Sequence, residues 1–307
     1  MYDFSPVVLF TFNRPNHTKR TIEALKKNIG ADRTRLIVFS DAPGNETDTE
    51  TVSQVRQYIG SISAPFTDVQ IIMRDKNMGL ANSVISGVTD TVDKFGKVIV
   101  LEDDMETSPF FLKYMNEALS LYENEEKVIS IHAYLYPLKN MLSDTFFLMG
   151  ADCWGWGTWK RGWKLFNPDA NYLLQQLTEK GLIRRFDFEG AKPYSEMLKN
   201  QINGKVDSWA VRWYASALLA GKLTLYPGKS LVRNIGNDAS GSHSISSKIY
   251  DVDLYPGKIE ITDIPLAEDK DAYKQFRKYL LSIKPSFIRR CYRFFSRKLK
   301  RRSKTFM

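Results

Sequence analysis

Short apolar stretches recur along the first 125 residues, and each is followed by polar residues and then by a longer amphipathic stretch. The apolar stretches are rich in Val, Ile and Phe, which is typical of strands buried on both faces of a parallel sheet. We predict strands at residues 6–12, 35–41, 68–73 and 98–101, alternating with helices at 19–27, 48–59, 81–95 and 110–122. Four such alternations predict an α/β fold with a doubly wound, mostly parallel sheet flanked by helices.

The second half of the chain has a less regular pattern. Strand-like stretches occur at 127–132, 145–149, 222–227 and 230–232, and a polar stretch at 167–201 predicts helices broken at Gly181 and Pro193. Residues 251–271 show no periodicity and predict an irregular segment. We therefore expect one domain over residues 1–271, with halves of about 1–125 and 126–271, followed by a separate tail at 272–307.

Polar side chains follow each of the first four predicted strands. They are Thr11, Asn13 and Arg14 after the first strand, Asp41 after the second, Arg74 and Asn77 after the third, and Glu102, Asp103 and Asp104 after the fourth. Ligands of open α/β sheets bind beyond the carboxyl ends of the strands, so these side chains should converge on one crevice. Neither the glycine-rich dinucleotide motif nor a P-loop is present. The mixture of amide, guanidinium and carboxylate groups favours a nucleotide pocket over a set of solvated turns.

The acidic triplet of Glu102, Asp103 and Asp104 carries the most specific chemistry. Burying three neighbouring carboxylates is costly unless a cation neutralises them. Their position at a strand-to-helix turn suits a divalent metal, Mn²⁺ or Mg²⁺, that also binds a phosphate-bearing ligand. The alternative is a solvated acidic loop at a helix N-terminus.

The order and spacing of these motifs resemble the nucleotide-binding half of a GT-A glycosyltransferase. The resemblance rests on Thr11-Phe12-Asn13-Arg14-Pro15, on Asp41, on Asn77-Met78-Gly79-Leu80 with Asn82 and Gly87, and on the acidic triplet. The stretch Leu101-Glu102-Asp103-Asp104, followed by Ser108-Pro109-Phe110-Phe111, is especially similar to the N-acetylglucosaminyltransferase I type. The resemblance covers residues 6–125 and implies metal-dependent, inverting transfer of a sugar from a nucleotide diphosphate, most simply a UDP-sugar.

The same resemblance implies roles for individual residues. Asp104 would bind the metal that bridges the diphosphate, Asp103 would face the ribose or donor sugar, and Glu102 would support the sugar or a metal-bound water. Asp41 would contact the base, and Arg74 would lie on the pyrophosphate side.

Four tryptophans lie within ten residues of the second half. Trp159 and Trp163, four residues apart, are expected in the core. Trp154 and Trp156 are flanked by Gly155 and Gly157, so a flexible aromatic lip over the donor sugar is as good a reading for them as core packing. Trp156 is our candidate for the donor-sugar contact.

A catalytic base and a second metal ligand are also expected in the second half. By the resemblance, Asp207 would take the proton of the acceptor hydroxyl, with a simple helix cap as its alternative role and Asp238 as the next candidate base. His243 lies in a loop at 234–244 that is rich in Gly, Ser and Asn and could cradle a phosphate, and it is our candidate second metal ligand.

The net charge of +9 is concentrated at the C-terminus. Residues 272–307 contain thirteen Lys and Arg and no Asp or Glu, which leaves −4 for residues 1–271. An apolar stripe runs through this basic tail, formed by Phe287, Ile288, Cys291, Phe295 and Leu299. The pattern predicts a basic amphipathic helix on an anionic membrane surface rather than a nucleic-acid-binding arm.

These observations predict a glycosyltransferase that acts on a cell-envelope or lipid-linked glycan. No signal peptide or apolar run long enough to span a membrane is evident, so we expect a cytoplasmic protein at the inner face of the membrane. Two alternatives are a sugar-phosphate nucleotidyltransferase, which would need a glycine-rich loop after the first strand, and a non-catalytic scaffold that binds carbohydrate or membrane.

Overall fold

A single eight-stranded sheet runs through the protein and carries helices on both faces. The structure is a computed structural model, and it describes residues 4–238 and 248–284. The strands are β1 (Val7–Thr11), β2 (Arg35–Ser40), β3 (Asp68–Met73), β4 (Lys97–Glu102), β5 (Met105–Thr107), β6 (Val128–His132), β7 (Thr145–Met149), β8 (Trp156–Trp159), β9 (Leu223–Pro227) and β10 (Val232–Asn234). The helices are α1 (Pro15–Lys26), α2 (Thr49–Gly60), α3 (Gly79–Phe95), α4 (Phe111–Leu121), α5 (Lys160–Trp163), α6 (Ala170–Glu179), α7 (Ile183–Phe186), α8 (Tyr194–Ile202), α9 (Trp209–Leu219) and α10 (Lys270–Ser282).

The parallel half of the sheet has the order β3-β2-β1-β4 and confirms the predicted α/β class. Every residue of β1 is buried, because α1 and α2 cover one face and α3 covers the other. Alternate residues divide between these faces: Leu9 packs with α1, whereas Phe10 packs with α3. Burial on both faces explains why β1, β2 and β4 appear in the sequence as continuous apolar runs, whereas the edge strand β3 is partly exposed.

Strand β8 joins the two halves of the sheet by pairing antiparallel with both β4 and β6. The order continues β4-β8-β6-β9-β7, so six strands point one way and β7 and β8 point the other. Gly157 permits this insertion, since a Cβ there would lie 3.0 Å from the carbonyl oxygen of Val98 and 2.9 Å from Cε of Met115. The sheet is thus mostly parallel, as predicted, with an antiparallel insertion that the sequence pattern does not indicate.

A two-stranded ribbon of β5 and β10 stands beside the end of β4. Glu106 in β5 accepts hydrogen bonds from Arg20 of α1 and from Arg233 of β10. The backbone N–H of Ile235 then donates to the carbonyl of Asp104 at 2.8 Å. The ribbon therefore holds residues 234–237 against the acidic triplet.

Helices α6 to α9 pack together beside the sheet. Breaks in this helical region fall where the sequence predicts them, with Gly181 in a left-handed conformation (φ +66°) and Pro193 directly before α8. The cap of α9 is Ser208, whose hydroxyl accepts from the N–H of Val211, so Asp207 is not the capping residue.

Helix α10 crosses the predicted boundary between domain and tail. Its buried Ala272, Phe276 and Leu280 face the domain, with the first two in one apolar cluster with Phe146 and Tyr226. Residues 272–284 therefore belong to the packed body rather than to a separate tail. Within the described ranges, no helix combines the length and apolarity needed to cross a bilayer.

Candidate active site

A cleft of about 630 Å³ opens at the carboxyl ends of β1, β2 and β4. The predicted site residues that line it are Thr11, Asn13, Arg14, Asp41, Asn77, Glu102, Asp103 and Asp104. Residues from β10 and the segment after it close one side, namely Asn234, Gly236 and Asn237. The strand ends thus converge on one crevice, as the sequence predicts for a doubly wound sheet.

Arg14 lies 89 and 90 positions before Asp103 and Asp104 in the sequence, and its guanidinium offsets part of their negative charge. Its guanidinium Nη2 hydrogen-bonds to Oδ1 of Asp103 and lies 3.0 Å from Oδ2 of Asp104. The two aspartates are 4% and 8% exposed, so their negative charge is poorly screened by water. Arg14 lies directly before α1, whose Thr18 donates to the Arg14 carbonyl, and this contact fixes the start of the helix below the guanidinium.

Burial and mutual repulsion keep protons on this cluster. Burial, together with the charges of Asp104 and Asp103, raises the pKa of Glu102 to about 8, and Arg14 and the Trp209 indole act in the opposite direction. Burial also raises the pKa of Asp103 to about 6, against the opposing charge and hydrogen bonding of Arg14. Glu102 is therefore largely protonated at neutral pH when no further cation is bound.

The geometry at Asp104 fits a divalent metal that a diphosphate would share. Its Oδ1 is buried and has no hydrogen-bond partner, which leaves a carboxylate oxygen available as a ligand. A Cβ on Gly236 would lie 2.1 Å from Oδ2, so glycine keeps this space open. In the described part of the chain, no three His, Cys, Asp or Glu side chains are grouped to hold a metal alone. Mg²⁺ and similar ions commonly use one or two carboxylates and complete their shell with substrate phosphate and water.

The carboxylate of Asp41 is engaged by the protein backbone. Its Oδ1 accepts from the N–H groups of Ala42 and Met78, and its Oδ2 accepts from Met78 and Gly79. Asp41 thereby ties the end of β2 to the start of α3. The resemblance implies that Asp41 contacts the base. Asp41 would have to make that contact while its carboxylate also accepts these backbone hydrogen bonds.

The cleft also contains Asp48, a functional candidate that the sequence pattern does not single out. Asp48 accepts a hydrogen bond from Nδ2 of Asn13 at 2.8 Å, and this pair orients the amide along the cleft wall. Asn77 donates to the carbonyl of Ala42 and so fixes the turn before α3. The sequence offers one clue, which is that Asn and Asp are frequent in turns at strand ends. This clue does not say which residue each side chain hydrogen-bonds to.

Two predicted donor contacts do not line the cleft. Arg74 donates to the hydroxyl of Ser86, and its guanidinium packs over the ring of Phe39 at 5.2 Å. Trp156 is fully buried and packs against Trp209 and two other tryptophans, so it is a core residue and not a flexible lip. Its place in β8, paired with Val100 of β4, is the physical reason.

The remaining second-half candidates lie apart from the cleft wall or outside the described residues. Asp207 is half-exposed, and its Oδ1 accepts from Arg212 at 2.9 Å and from Gln201 at 3.2 Å. Asp238 approaches Nε2 of His17 at 3.1 Å. His243 lies outside the described residues. Trp159 and Trp163 are buried in the core, as predicted.

Residues 1–145 match the family model described as GNT-I family, which is just under half of the chain. The match confirms the resemblance drawn from the sequence. Residues 1–145 are therefore similar to a GT-A-type glycosyltransferase, over the span in which the motifs occur. No curated protein sequence matches the chain at a significant level.

Solved structures with a similar overall arrangement include residues 1–349 of Staphylococcus aureus TarS. The match has 10% identity and a TM-score of 0.41, and covers 74% of this chain and 59% of the TarS fragment. The mannosyltransferase PcManGT from Pyrobaculum calidifontis, in complex with GDP-Man and Mn²⁺, matches at 10% identity with a TM-score of 0.40. That match covers 71% of this chain and 69% of the mannosyltransferase. Both relationships are too distant to carry residue roles from one protein to the other.

The raised pKa of Glu102 predicts a specific pH dependence of stability in metal-free buffer. Between the unfolded value of 4.5 and the folded value of about 8, the folded state binds more protons than the unfolded state. Stability contributed by Glu102 is therefore present at low pH and is lost as the pH rises through 8. We expect the free energy of unfolding of wild type, minus that of Glu102→Gln, to decrease between pH 5 and 8.5.

Urea unfolding with EDTA measures this difference, and Glu46→Gln, at an exposed position, serves as the matched control. The interpretation is wrong if the difference is constant with pH or increases.

Proposed function

We propose that this protein is an inverting, metal-dependent glycosyltransferase that uses a nucleotide-diphosphate sugar, most simply a UDP-sugar. The observation that carries the proposal is the acidic triplet beside Arg14, at the carboxyl end of β4, in which Asp103 and Asp104 are buried and one Asp104 oxygen is left without a partner. A non-catalytic scaffold would have no need for three adjacent carboxyl groups at the wall of a cleft. A nucleotidyltransferase is disfavoured because the turn after β1 contains no glycine.

The donor would occupy the cleft, with its nucleotide over β1 and β2 and its diphosphate at β4. Arg14 would turn from the carboxylates toward the diphosphate, where a guanidinium can bind phosphate oxygens in a bidentate manner. Glu102 would lie at the donor sugar and could hydrogen-bond to one of its hydroxyl groups. Asn234, Gly236 and Asn237 would close the diphosphate side.

A divalent cation, Mn²⁺ or Mg²⁺, would be held by Asp104 and would stabilise negative charge on the departing diphosphate. A cation on the free Oδ1 of Asp104 would be repelled by Arg14, since the guanidinium lies 3.0 Å from Oδ2 of the same carboxylate. His243 remains a proposed additional ligand.

For the proton of the acceptor hydroxyl we retain Asp207. It comes two residues before Trp209, and the Trp209 indole hydrogen-bonds to Glu102, so the start of α9 lies near the triplet. Its pairing with Arg212 must loosen for the carboxylate to act as a base, since a bound guanidinium favours the charged, less basic form.

The central experiment is nucleotide release from a panel of UDP- and GDP-sugars with Mn²⁺, Mg²⁺ or EDTA. Asp104→Asn should reduce donor-dependent release by roughly 10²-fold or more, because it removes several kcal/mol of electrostatic stabilisation. Asp75→Asn, an exposed aspartate beyond β3, should behave as wild type. Full activity in EDTA, or in Asp104→Asn, would contradict the metal role, and release from no donor would contradict the proposed function.

We further propose that the basic tail attaches the enzyme to the inner face of a membrane, where it would act on a lipid-linked or cell-envelope glycan. The part that carries the aromatic stripe, residues 285–307, lies outside the described residues. Its nine Lys and Arg and its lack of acids support electrostatic binding to anionic lipid.

Removal of residues 285–307 should abolish co-sedimentation with anionic vesicles. Each basic residue near such a surface contributes about 1 kcal/mol, and this contribution falls as salt screens the charge. A full-length Phe287→Ser/Phe295→Ser variant should bind less tightly but keep the salt dependence. Equal binding of wild type to neutral and anionic vesicles would exclude the electrostatic attachment, and tight binding to nucleic acid instead would favour an RNA- or DNA-binding arm.

A further inference from the structure

A second group of polar and aromatic side chains stands at the same sheet edge as the cleft. Since β8 runs antiparallel to β4 and Trp156 pairs with Val100, residues that precede Trp156 lie beside residues that follow Val100. Strand β6 ends at His132, also paired with Trp156, and points the same way as β4. Residues 132–136 and 152–154 therefore adjoin the acidic triplet on the side away from β1 and β2.

Aromatic rings cluster at this part of the sheet edge. We name it the aromatic pit, formed by His132, Tyr134, Tyr136, Asp152, Trp154 and Tyr250. Trp154 is edge-to-face with Tyr134 at 4.7 Å and with Tyr250 at 5.6 Å between ring centroids. The Tyr134 hydroxyl donates to the carbonyl of Tyr250 at 2.8 Å, which ties the rim to the sheet. Trp154 and Tyr250 are partly exposed, in contrast to the fully buried Trp156.

Asp152 is the acidic group of the pit, and it has no cationic partner. Its side chain is 28% exposed, and no Lys or Arg within residues 4–238 and 248–284 forms an ion pair with it. The Asp103, Glu106 and Asp207 carboxylates each pair with arginine. A partly buried carboxylate without a cation favours neutral hydrogen-bond donors, of which hydroxyl groups are the simplest.

His132 lies at the buried end of the pit and supports the same conclusion. It is 0% exposed, and neither ring nitrogen has a hydrogen-bond partner among the described residues. Its Nε2 lies 3.7 Å from Oδ2 of Asp152, too far for a good hydrogen bond. Burial lowers the pKa of His132, so the ring is neutral at pH 7 and leaves the Asp152 charge uncompensated.

We infer that the aromatic pit binds an uncharged pyranose of the acceptor, with its apolar face on the partly exposed Trp154 ring and its hydroxyl groups on Asp152. This inference rests on the proposed function, because it assigns the acceptor side of the same reaction. The two substrates would then lie side by side along one sheet edge, with the nucleotide over β1 and β2, the transferred sugar at β4, and the acceptor over β8 and β6. Burial raises the pKa of the Cys153 thiol, and the charges of Asp152 and Glu102 both add to this shift, which places the pit within electrostatic reach of the triplet.

Saturation-transfer NMR on the full chain tests the pit without requiring turnover. The probes are methyl glycosides of glucose, galactose, mannose, N-acetylglucosamine and N-acetylgalactosamine, with methyl glucuronide as the anionic counterpart. We expect at least one neutral glycoside to bind, and Trp154→Ala to weaken it roughly three- to tenfold through loss of the ring contact. Trp154→Phe should recover part of this affinity. Tyr172→Ala, which removes a half-exposed aromatic ring elsewhere on α6, should leave binding unchanged.

The charge of the glycoside provides a second test of the pit. Methyl glucuronide should bind more weakly than methyl glucoside to wild type, and Asp152→Asn should remove most of that difference because it removes the repelling carboxylate. In turnover assays the Trp154 substitutions should raise the KM for acceptor far more than the KM for donor. Absence of any glycoside binding, or binding that is unchanged in both Trp154→Ala and Asp152→Asn, would overturn the inference.

The two proposals can fail separately. Glycoside binding that depends on Trp154, in a protein that releases nucleotide from no donor, would refute the proposed function and leave the pit as a carbohydrate site. Nucleotide release by a protein whose KM for acceptor does not change when Trp154 is substituted would support the proposed function and refute the pit as the acceptor site.

Discussion

The mutual repulsion of Glu102, Asp103 and Asp104 is the constraint on which the site depends. Three carboxyl groups in succession are held at the inner end of a cleft, and a single guanidinium from the first strand–helix turn offsets part of their charge. The fold provides that guanidinium because β1 and β4 are adjacent parallel strands, whose carboxyl ends meet. A proton on Glu102 removes a further negative charge until another cation arrives.

The surrounding elements keep this arrangement open to a ligand. Arg20 and Arg233 engage Glu106 and so hold β10 against β5, which leaves Gly236 next to Asp104. Backbone amides occupy Asp41 on the opposite wall and fix the start of α3. The cleft is thus framed by charged side chains that already have partners, whereas one oxygen of Asp104 has none.

The parallel half of the fold could be predicted because buried strands in a parallel sheet leave uninterrupted apolar runs, as in β1 and β4. Strand β8 could not, since four residues with two tryptophans and a glycine give no clear period. For the same reason the partly exposed Trp154 and the buried Trp156 could not be told apart: pairing with Val100 fixes Trp156, whereas Trp154 precedes the strand. The chemistry of the triplet was visible in the sequence, but its counter-ion was not, because Arg14 lies about 90 residues away.

The acceptor side shows the same limit. Asp152 attracts no attention in the sequence, since a lone aspartate before a cysteine has many structural roles. Its significance appears only when β6 and β8 place it among tyrosines, where no described lysine or arginine forms an ion pair with it. Asp207, by contrast, is suggested by resemblance and is found paired with Arg212. The two aspartates differ in their surroundings: Asp152 faces aromatic rings, and Asp207 faces a guanidinium.

The central claim is that the positive charge of Arg14 opposes metal binding at Asp104 until a diphosphate draws the guanidinium away. Electron paramagnetic resonance of free and bound Mn²⁺ measures this directly. Wild type should bind Mn²⁺ weakly alone and much more tightly with UDP, whereas Arg14→Gln should bind Mn²⁺ more tightly than wild type without nucleotide, and Arg14→Lys should resemble wild type. Weaker or unchanged Mn²⁺ binding in Arg14→Gln would contradict the claim.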